Sequence, residues 1–188
     1  MQLMSRDPVR IRLTGRGGQG VILAGAILAE AAMYDGKDVV ETHEYGPEAR
    51  LGATKADIIV SHRFIAFPEV LQADALLCLS HDGYLRYGGN LSPGGLRILD
   101  SSLQPEMDEG EDMIFLPLKE IAKNLGNEVV INIVGLGALA GLSRLVSEDS
   151  MHLAVLKRVK AEFRTLNEQA LKVGFELAEQ GTSRDSSF

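Results

Sequence analysis

The chain has 188 residues, 45% of them hydrophobic and 24% charged. This length suits one globular domain, so we expect residues 1–188 to form a single unit. The 26 acidic residues outnumber the 19 basic ones, and the net charge of −7 argues against a nucleic-acid partner. One cysteine excludes an internal disulfide and cannot by itself ligate an iron–sulfur cluster.

No segment of the sequence suggests export or membrane insertion. The first ten residues, MQLMSRDPVR, lack the apolar stretch of a secretory signal. The longest apolar run, Val129 to Leu142, is interrupted by Asn132 and is shorter than the roughly 18–20 residues that span a bilayer. We therefore expect a cytoplasmic protein without a membrane partner.

The first predicted elements are a strand, a glycine cluster and a helix. Val9, Ile11 and Leu13 alternate with arginines, which is typical of a strand with one buried face. The cluster from Gly15 to Gly20 follows at once. Val21 to Tyr34 is then almost entirely apolar, and its length and its Ala, Leu and Ile content predict a buried helix.

The rest of the chain alternates between short predicted strands and helices. The polar segment His43–Lys55 and the segment Gly88–Gly95 are expected to be loops, Glu106–Asp112 a solvated acidic loop, and Gly181–Phe188 a frayed tail. The predicted strands are Asp38–Thr42, Asp57–Ser61, Ala75–Ser80, Leu96–Leu99 and Met113–Leu116. The predicted helices are a short one opened by Pro68, then Asp82–Tyr87, Leu118–Leu125, Ile131–Leu145, one from the N-cap Ser147 towards Arg164, and Asn167–Gln180.

This alternation predicts an α/β fold. We expect an open, mostly parallel, Rossmann-like sheet with helices on both faces and a helical C-terminal segment. The Gly/Ala-rich stretch from Ile131 to Gly141 permits close helix approach, either within the domain or against another subunit. The sequence leaves these two alternatives open.

Two loops carry the candidate binding residues. Gly15, Gly17 and Gly20 have the Gly-x-Gly-x-x-Gly spacing after a strand and before a helix, where bare backbone N–H groups can approach phosphate. Glu41 lies about 20 residues further on, where a ribose-binding acid is expected. The alternative is that the glycines only permit a tight strand-to-helix turn.

The second loop runs from Tyr45 to Gly52. Its arginine, Arg50, can make forked contacts with carboxylate or phosphate, and loops at strand ends are common binding sites in such folds. The alternative is a surface ion pair between Glu48 and Arg50.

Together these segments resemble the gamma subunit of the 2-oxoacid:ferredoxin oxidoreductases. The resemblance covers about Arg10 to Gly174. One position departs from the family pattern, because Leu51 replaces the first member of a glycine pair. The matching runs are Gly15-x-Gly17-Gly18-Gln19-Gly20, Ala24-Gly25, Ala29-Glu30-Ala31-Ala32, Tyr45-Gly46-Pro47-Glu48-Ala49-Arg50-x-Gly52, Asn132-x-x-Gly135-Leu136-Gly137-Ala138 and Asn167-x-x-Ala170-Leu171-x-x-Gly174.

The resemblance implies one subunit of an enzyme that converts a 2-oxoacid, coenzyme A and oxidised ferredoxin to acyl-coenzyme A, CO₂ and reduced ferredoxin. Thiamine diphosphate and the iron–sulfur clusters are then expected on alpha, beta and ferredoxin-like delta partners, with ferredoxin reached indirectly. A separate, short gamma chain favours 2-oxoglutarate, while pyruvate, branched-chain 2-oxoacids and indolepyruvate stay open. A homodimer of the isolated chain also stays open.

The resemblance further implies that this chain contacts coenzyme A without holding a cofactor alone. Arg16, Arg50 and Lys55 are expected to supply positive charge. The candidate contact residues are Gly15, Arg16, Gly17, Gly18, Gln19, Gly20, Tyr45, Gly46, Pro47, Glu48, Arg50 and Gly52. The competing hypotheses are a stand-alone NAD(P)-binding enzyme or sensor, and a scaffold whose glycine loop binds nothing.

Three other residues receive structural interpretations. His43 and His81 have no carboxylate or nucleophile at a diagnostic spacing, so we expect solvent-facing histidines. Cys78 lies in an apolar run and is expected to be a small core residue.

Overall fold

The computed structural model describes residues 6–46, 52–103 and 113–184, and these form a six-stranded sheet flanked by helices. The strands are β1 (Val9–Arg16), β2 (Asp38–Tyr45), β3 (Ala53–Ser61), β4 (Ala73–Cys78), β5 (Leu91–Asp100) and β6 (Ile114–Leu116). The helices are α1 (Val21–Tyr34), α2 (His81–Tyr87), α3 (Leu118–Asn124), α4 (Ile131–Ser143), α5 (Glu148–Arg158) and α6 (Arg164–Arg184), with 3₁₀ turns at Glu128–Val130 and Ala161–Phe163.

The sheet has the order β2-β3-β1-β4-β5-β6. The pairs β1–β4, β4–β5 and β5–β6 are parallel, whereas β3 is antiparallel to both of its neighbours. Leu13 and Leu77 share the main hydrophobic core with α1, α3 and α4, and α5 and α6 pack behind that helical layer. The short α2 lies on the opposite face, beside Leu76 and Cys78. The predicted α/β class and mostly parallel sheet are confirmed.

The predicted loop from His43 to Lys55 is wrong at both ends, where residues 43–45 and 53–55 lie in strands, while residues 47–51 are outside the described part of the chain. His43 pairs with Ala56 and Tyr45 pairs with Thr54, so β2 and β3 form one long antiparallel hairpin. The last residues of β2 are polar because this strand is at the edge of the sheet, where five of its eight residues are exposed. A polar sequence of this kind does not show the hydrophobic alternation that predicts a strand. Antiparallel neighbours such as β2 and β3 need no crossover helix between them.

Other predicted boundaries also differ from the structure. The chain around Pro68 forms no helix, and β5 starts at Leu91, inside the segment predicted to be a loop. The helix after Ser147 ends at Arg158, and the last helix begins at Arg164 and continues through Arg184 into the predicted tail. The acidic run Glu106–Asp112 lies outside the described residues.

The Gly/Ala-rich stretch provides a crossing between helices within the domain. A Cβ atom at Gly137 would lie 2.9 Å from Gly174 Cα, and one at Gly174 would lie 2.8 Å from Gly137 Cα. Only glycine at both positions lets α4 and α6 approach this closely. Residues 131–140 are all buried, so the first of the two alternatives for this stretch applies.

Candidate functional site

The two candidate loops meet at the carboxyl end of β1. The Gly17 N–H donates to the Gly52 carbonyl at 2.9 Å, which joins the glycine loop to the end of the second loop. The Gly46 N–H donates to the Ala53 carbonyl at 2.8 Å and closes the hairpin on the other side. The structure thus brings Gly17, Gly46 and Gly52 together at the end of the sheet where β1 and β2 finish.

Gln19 holds the glycine loop in place. Its Oε1 accepts from the Arg16 N–H at 2.6 Å, and its Nε2 donates to the Leu79 carbonyl at 3.0 Å. A Cβ atom at Gly15 would lie 2.7 Å from Gln19 Oε1, so the bare backbone at Gly15 leaves room for this arrangement. The Gln19 side chain therefore supports the loop from within.

The start of α1 is fixed by Gly20 and Asn132. Gly20 is the N-cap and has a left-handed φ of 72°, which favours glycine. The Asn132 Nδ2 donates to the Gly20 carbonyl at 3.1 Å, and its Oδ1 accepts from the Ile133 N–H at 2.9 Å. Asn132 at the start of α4 thus ties the two helices together below the glycine loop.

The loop presents backbone donors that remain unpaired within the described part of the chain. The N–H groups of Gly18, Gly20, Val21 and Ile22 have no hydrogen-bond partner among those residues. The first turn of α1 has no acidic residue, and Gly20 has no side chain to cap it. These amides and the positive end of the helix dipole favour an anion at this place.

The charged residues near the loop are already paired. The Arg16 guanidinium donates to Asp82 Oδ2 at 2.6 Å, and both side chains are about half exposed. Lys55 lies 3.3 Å from both Glu44 and Asp57 on the sheet face that α2 covers. Arg16 can exchange Asp82 for a ligand in solvent, whereas Lys55 belongs to a partly buried ion network.

That network lies beneath α2. Arg12 forms a two-pronged contact with Asp57 at 2.7 and 2.9 Å and also donates to the Val70 carbonyl at 2.8 Å. The Tyr87 hydroxyl donates to Glu44 at 3.1 Å. Burial alone would raise the pKa of Glu44, but the hydrogen bonds from Tyr87 and Lys55 outweigh it and lower the pKa.

The other residues named in the sequence analysis lie in different parts of the structure, some exposed and one buried. Tyr45 is 65% exposed at the end of β2, and its ring packs edge-on against His43 with centroids 5.7 Å apart. His81 is an exposed first residue of α2. Cys78 is fully buried in β4, and burial raises the pKa of its thiol to about 12. The exposed histidines and the buried cysteine are as expected.

Glu41 is not at the end of its strand. It pairs with Ile58 in the middle of β2, and burial against the helical layer raises the pKa of its carboxyl. In addition, β3 lies between β1 and β2, which places β2 about 10 Å from β1 across the sheet. This arrangement does not support a ribose-binding role for Glu41. Pro47, Glu48, Arg50 and Leu51 lie outside the described residues.

Sequence reasoning missed two supporting residues. Asp82, which holds Arg16, lies in the first turn of α2, and Gly83 lets that turn pack against β1: a Cβ atom there would lie 2.8 Å from the Gly15 nitrogen. No role was predicted for Asn132, although it interrupts the longest apolar run and belongs to a matching run. An asparagine inside a long apolar helix is a signal of a buried hydrogen-bonding role, because an unpaired amide there would be costly.

Comparisons with known proteins decide the family. The family model described as pyruvate ferredoxin/flavodoxin oxidoreductase matches residues 10–177. The chain belongs to this family. It is 42% identical to the 2-oxoglutarate synthase subunit KorC of Methanocaldococcus jannaschii, covering 90% of this chain and 94% of that one. The KorC subunit of Archaeoglobus fulgidus is 39% identical over 93% of this chain and 90% of its own length.

Solved structures place the chain with the gamma subunits of this oxidoreductase family. The keto/oxoacid ferredoxin oxidoreductase gamma subunit from Geobacter sulfurreducens is 40% identical, with a TM-score of 0.84 over 93% of this chain and 98% of that one. The predicted resemblance to the gamma subunit is confirmed, and the chain is a subunit of a 2-oxoacid oxidoreductase.

The same fold also occurs inside longer chains. A 2-oxoglutarate:ferredoxin oxidoreductase from Magnetococcus marinus has a TM-score of 0.82 at 23% identity, and the match covers 93% of this chain but 32% of that one.

In the part of the oxidoreductase subunit that the structure describes, no helix is long and apolar enough to cross a membrane. The same residues contain no group of His, Cys, Asp and Glu suited to a metal ion.

Proposed function

We propose that this chain is the gamma subunit of an oxidoreductase that uses 2-oxoglutarate. Three KorC subunits of 2-oxoglutarate synthases are 37 to 42% identical to it over nearly its whole length. Subunits named for other substrates are less similar: 27% for a pyruvate synthase subunit and 29% for an indolepyruvate oxidoreductase subunit. The complex would convert 2-oxoglutarate, coenzyme A and oxidised ferredoxin to succinyl-coenzyme A, CO₂ and reduced ferredoxin.

The proposed role of this chain is to bind the phosphate groups of coenzyme A. The observation that supports it is the row of N–H groups at Gly18, Gly20 and Val21, which have no partner among the described residues, at the N-terminus of α1, where no side chain provides a cap. Arg16 would leave Asp82 and add a charged donor. Gln19 and Asn132 would keep the loop in position rather than contact the ligand. Tyr45 at the end of β2 is a further proposed contact, as is Arg50, which lies outside the described residues.

The remaining chemistry belongs to partner subunits in this proposal. One buried cysteine cannot supply the four thiolates of an iron–sulfur cluster, so the clusters and thiamine diphosphate would be bound by alpha, beta and delta chains. We further propose that residues 1–188 act as one domain in a cytoplasmic complex.

The test of coenzyme A binding is Gly17→Asp in the assembled complex. A carboxylate at this position would repel phosphate, so we expect the KM for coenzyme A to rise at least tenfold while the KM for 2-oxoglutarate stays unchanged. The matched control is Gly89→Asp in the turn after α2, where Gly89 is exposed and no heavy atom lies near a Cβ atom. An intact complex in which both variants bind coenzyme A normally would support the scaffold hypothesis instead.

Substrate choice is tested separately on the unmodified complex. The value of kcat/KM for 2-oxoglutarate is expected to exceed those for pyruvate, 2-oxoisovalerate and indolepyruvate by at least tenfold. A preference for another 2-oxoacid would refute the substrate assignment and leave the coenzyme A proposal untouched.

A further inference from the structure

Within the described part of the chain, the edge strand β2 is unpaired on its outer side along its whole length. It pairs with β3 in unbroken register from Asp38 to Tyr45, and no other described residue pairs with its outer side. In an antiparallel pair, alternate residues direct both their N–H and C=O away from the partner strand. About half of the residues of β2 therefore present unsatisfied backbone donors and acceptors along this edge.

The two edges of the sheet are protected differently. At the far side, β6 has three residues and offers little backbone to another strand. By contrast, β2 has eight residues and contains no proline or register shift, and the charged side chains that would keep another strand away are all acidic. An exposed edge of this length is a template for strand addition.

We infer that β2 is a docking edge for an extended, basic segment of a partner subunit, which adds a seventh strand to the sheet. Charge indicates the kind of occupant. Asp38, Glu41 and Glu44 lie on β2, which has no lysine or arginine, and among them only Glu44 has an ion-pair partner, Lys55, in the described residues. A strand with lysine or arginine at the facing positions would complement these carboxylates.

A second copy of this chain fits the edge less well. Antiparallel pairing of two β2 strands would bring six carboxylates together with two histidines as the only basic side chains. Like charges on adjacent strands destabilise their pairing. The chain's net charge of −7 adds to this repulsion.

The proposed edge continues into the second loop. His43 and Tyr45 form an exposed aromatic pair on one face of β2, directly before Gly46. Exposed tyrosines are frequent anchors in protein interfaces. A partner strand here would end beside Tyr45 and Gly46, at the end of the sheet to which the glycine loop also belongs.

The decisive measurement is hydrogen exchange of the β2 amides in the free chain and in the assembled complex. We expect alternate amides between Asp38 and Tyr45 to exchange quickly in the free chain and at least 100-fold more slowly in the complex. Equal rates in the two states would overturn the inference. Slow exchange in the free chain together with a concentration-dependent doubling of mass would assign the edge to a second copy, which also overturns it.

A proline pair tests the backbone contribution. Because neighbouring residues alternate in direction, only one of Thr42 and His43 has its N–H in the β3 ladder. Of Thr42→Pro and His43→Pro, we expect one to destabilise the fold and the other to keep its Tm but lose assembly. Two variants that fold and assemble normally would count against strand addition.

Charge reversal tests the basic partner. We expect Asp38→Lys to weaken association with the partner subunits five- to tenfold at low salt, with a smaller effect at high salt. Glu162→Lys makes the same charge change at an exposed site away from β2 and is expected to leave association unchanged. An equal effect of both variants would show that only the net charge of the chain matters for association. That outcome would contradict a basic partner strand.

Discussion

The glycine loop and the crossing of α4 and α6 are both rich in glycine, but for different physical reasons. At the crossing, a Cβ atom at Gly174 would meet the Gly137 backbone at 2.8 Å. In the loop, Gly18 has open space around it and a left-handed φ of 94°. Glycine is needed at the crossing for space and at Gly18 for backbone conformation. Packing glycines therefore govern stability, whereas the proposed role of the loop glycines is to let a ligand approach the backbone.

The largest expected effect is that of Gly174→Ala. Alanine normally favours a helix over glycine by about 1 kcal/mol. Here the methyl group would contact the backbone of Gly137 and Ala138, which cannot move without separating α4 from α6. We expect the free energy of unfolding to fall by about 3 kcal/mol in urea denaturation. A variant as stable as the parent chain would show that the crossing is loosely packed.

An intermediate effect is expected at Glu30, which joins α1 to α5. A hydrogen bond from Lys157 at 2.7 Å, with others from Tyr34 and Arg158, lowers the pKa of Glu30 to about 2 despite burial. The carboxylate therefore contributes stability that is complete above pH 4.5 and is lost as the pH falls towards 2. Since both cations are partly exposed, Glu30→Gln should cost about 2 kcal/mol at pH 7.

The pH dependence separates this ion pair from general acid unfolding. Thermal unfolding between pH 2 and 7 should show a shallower slope for Glu30→Gln than for the parent chain. Glu176→Gln is the control, because Glu176 lies 3.8 Å from Lys172 on the exposed side of α6 and is expected to change stability little. Identical pH profiles for the parent and Glu30→Gln would exclude Glu30 as the source.

The smallest effect is expected for Gly18→Ala. No heavy atom lies within 4 Å of a Cβ atom there, so the cost is only that of a left-handed backbone, about 1 kcal/mol. Gly89→Ala has the same open space without a positive φ and should be neutral. The free energies of unfolding of the two variants, measured by chemical denaturation, separate the cost of a left-handed backbone from the cost of placing a methyl group. A loss at Gly18 equal to that at Gly174 would remove the distinction between the two regions.

The sequence predicted the buried elements well and the exposed ones poorly. The bounds of α1, Val21–Tyr34, were predicted correctly because a long apolar run after a glycine cluster allows few alternatives. The strand β2 was predicted only to Thr42, because its last three residues are exposed on the edge and show no hydrophobic alternation. Leu91–Gly95 was predicted to be a loop because it contains Pro93 and two glycines. Its pairing with β4 depends on the tertiary structure and is not visible in the local sequence.

The candidate site was predictable in its backbone but not in its side-chain contacts. The glycine spacing correctly located the turn between β1 and α1, while the binding role of its amides stays a prediction. The pairing of Arg16 with Asp82 joins residues 66 positions apart, and the support of Gly20 by Asn132 joins residues 112 positions apart. Such contacts depend on how α2 and α4 pack, which no local pattern contains.

The burial of Cys78 makes the chain convenient for spectroscopy. A fully buried thiol whose pKa is raised to about 12 stays protonated at neutral pH and is shielded from maleimide reagents. A cysteine introduced at exposed Thr42 would then accept a fluorophore at a single site without removal of the native one. The fluorescence anisotropy of the dye would then report directly on a partner that binds along β2.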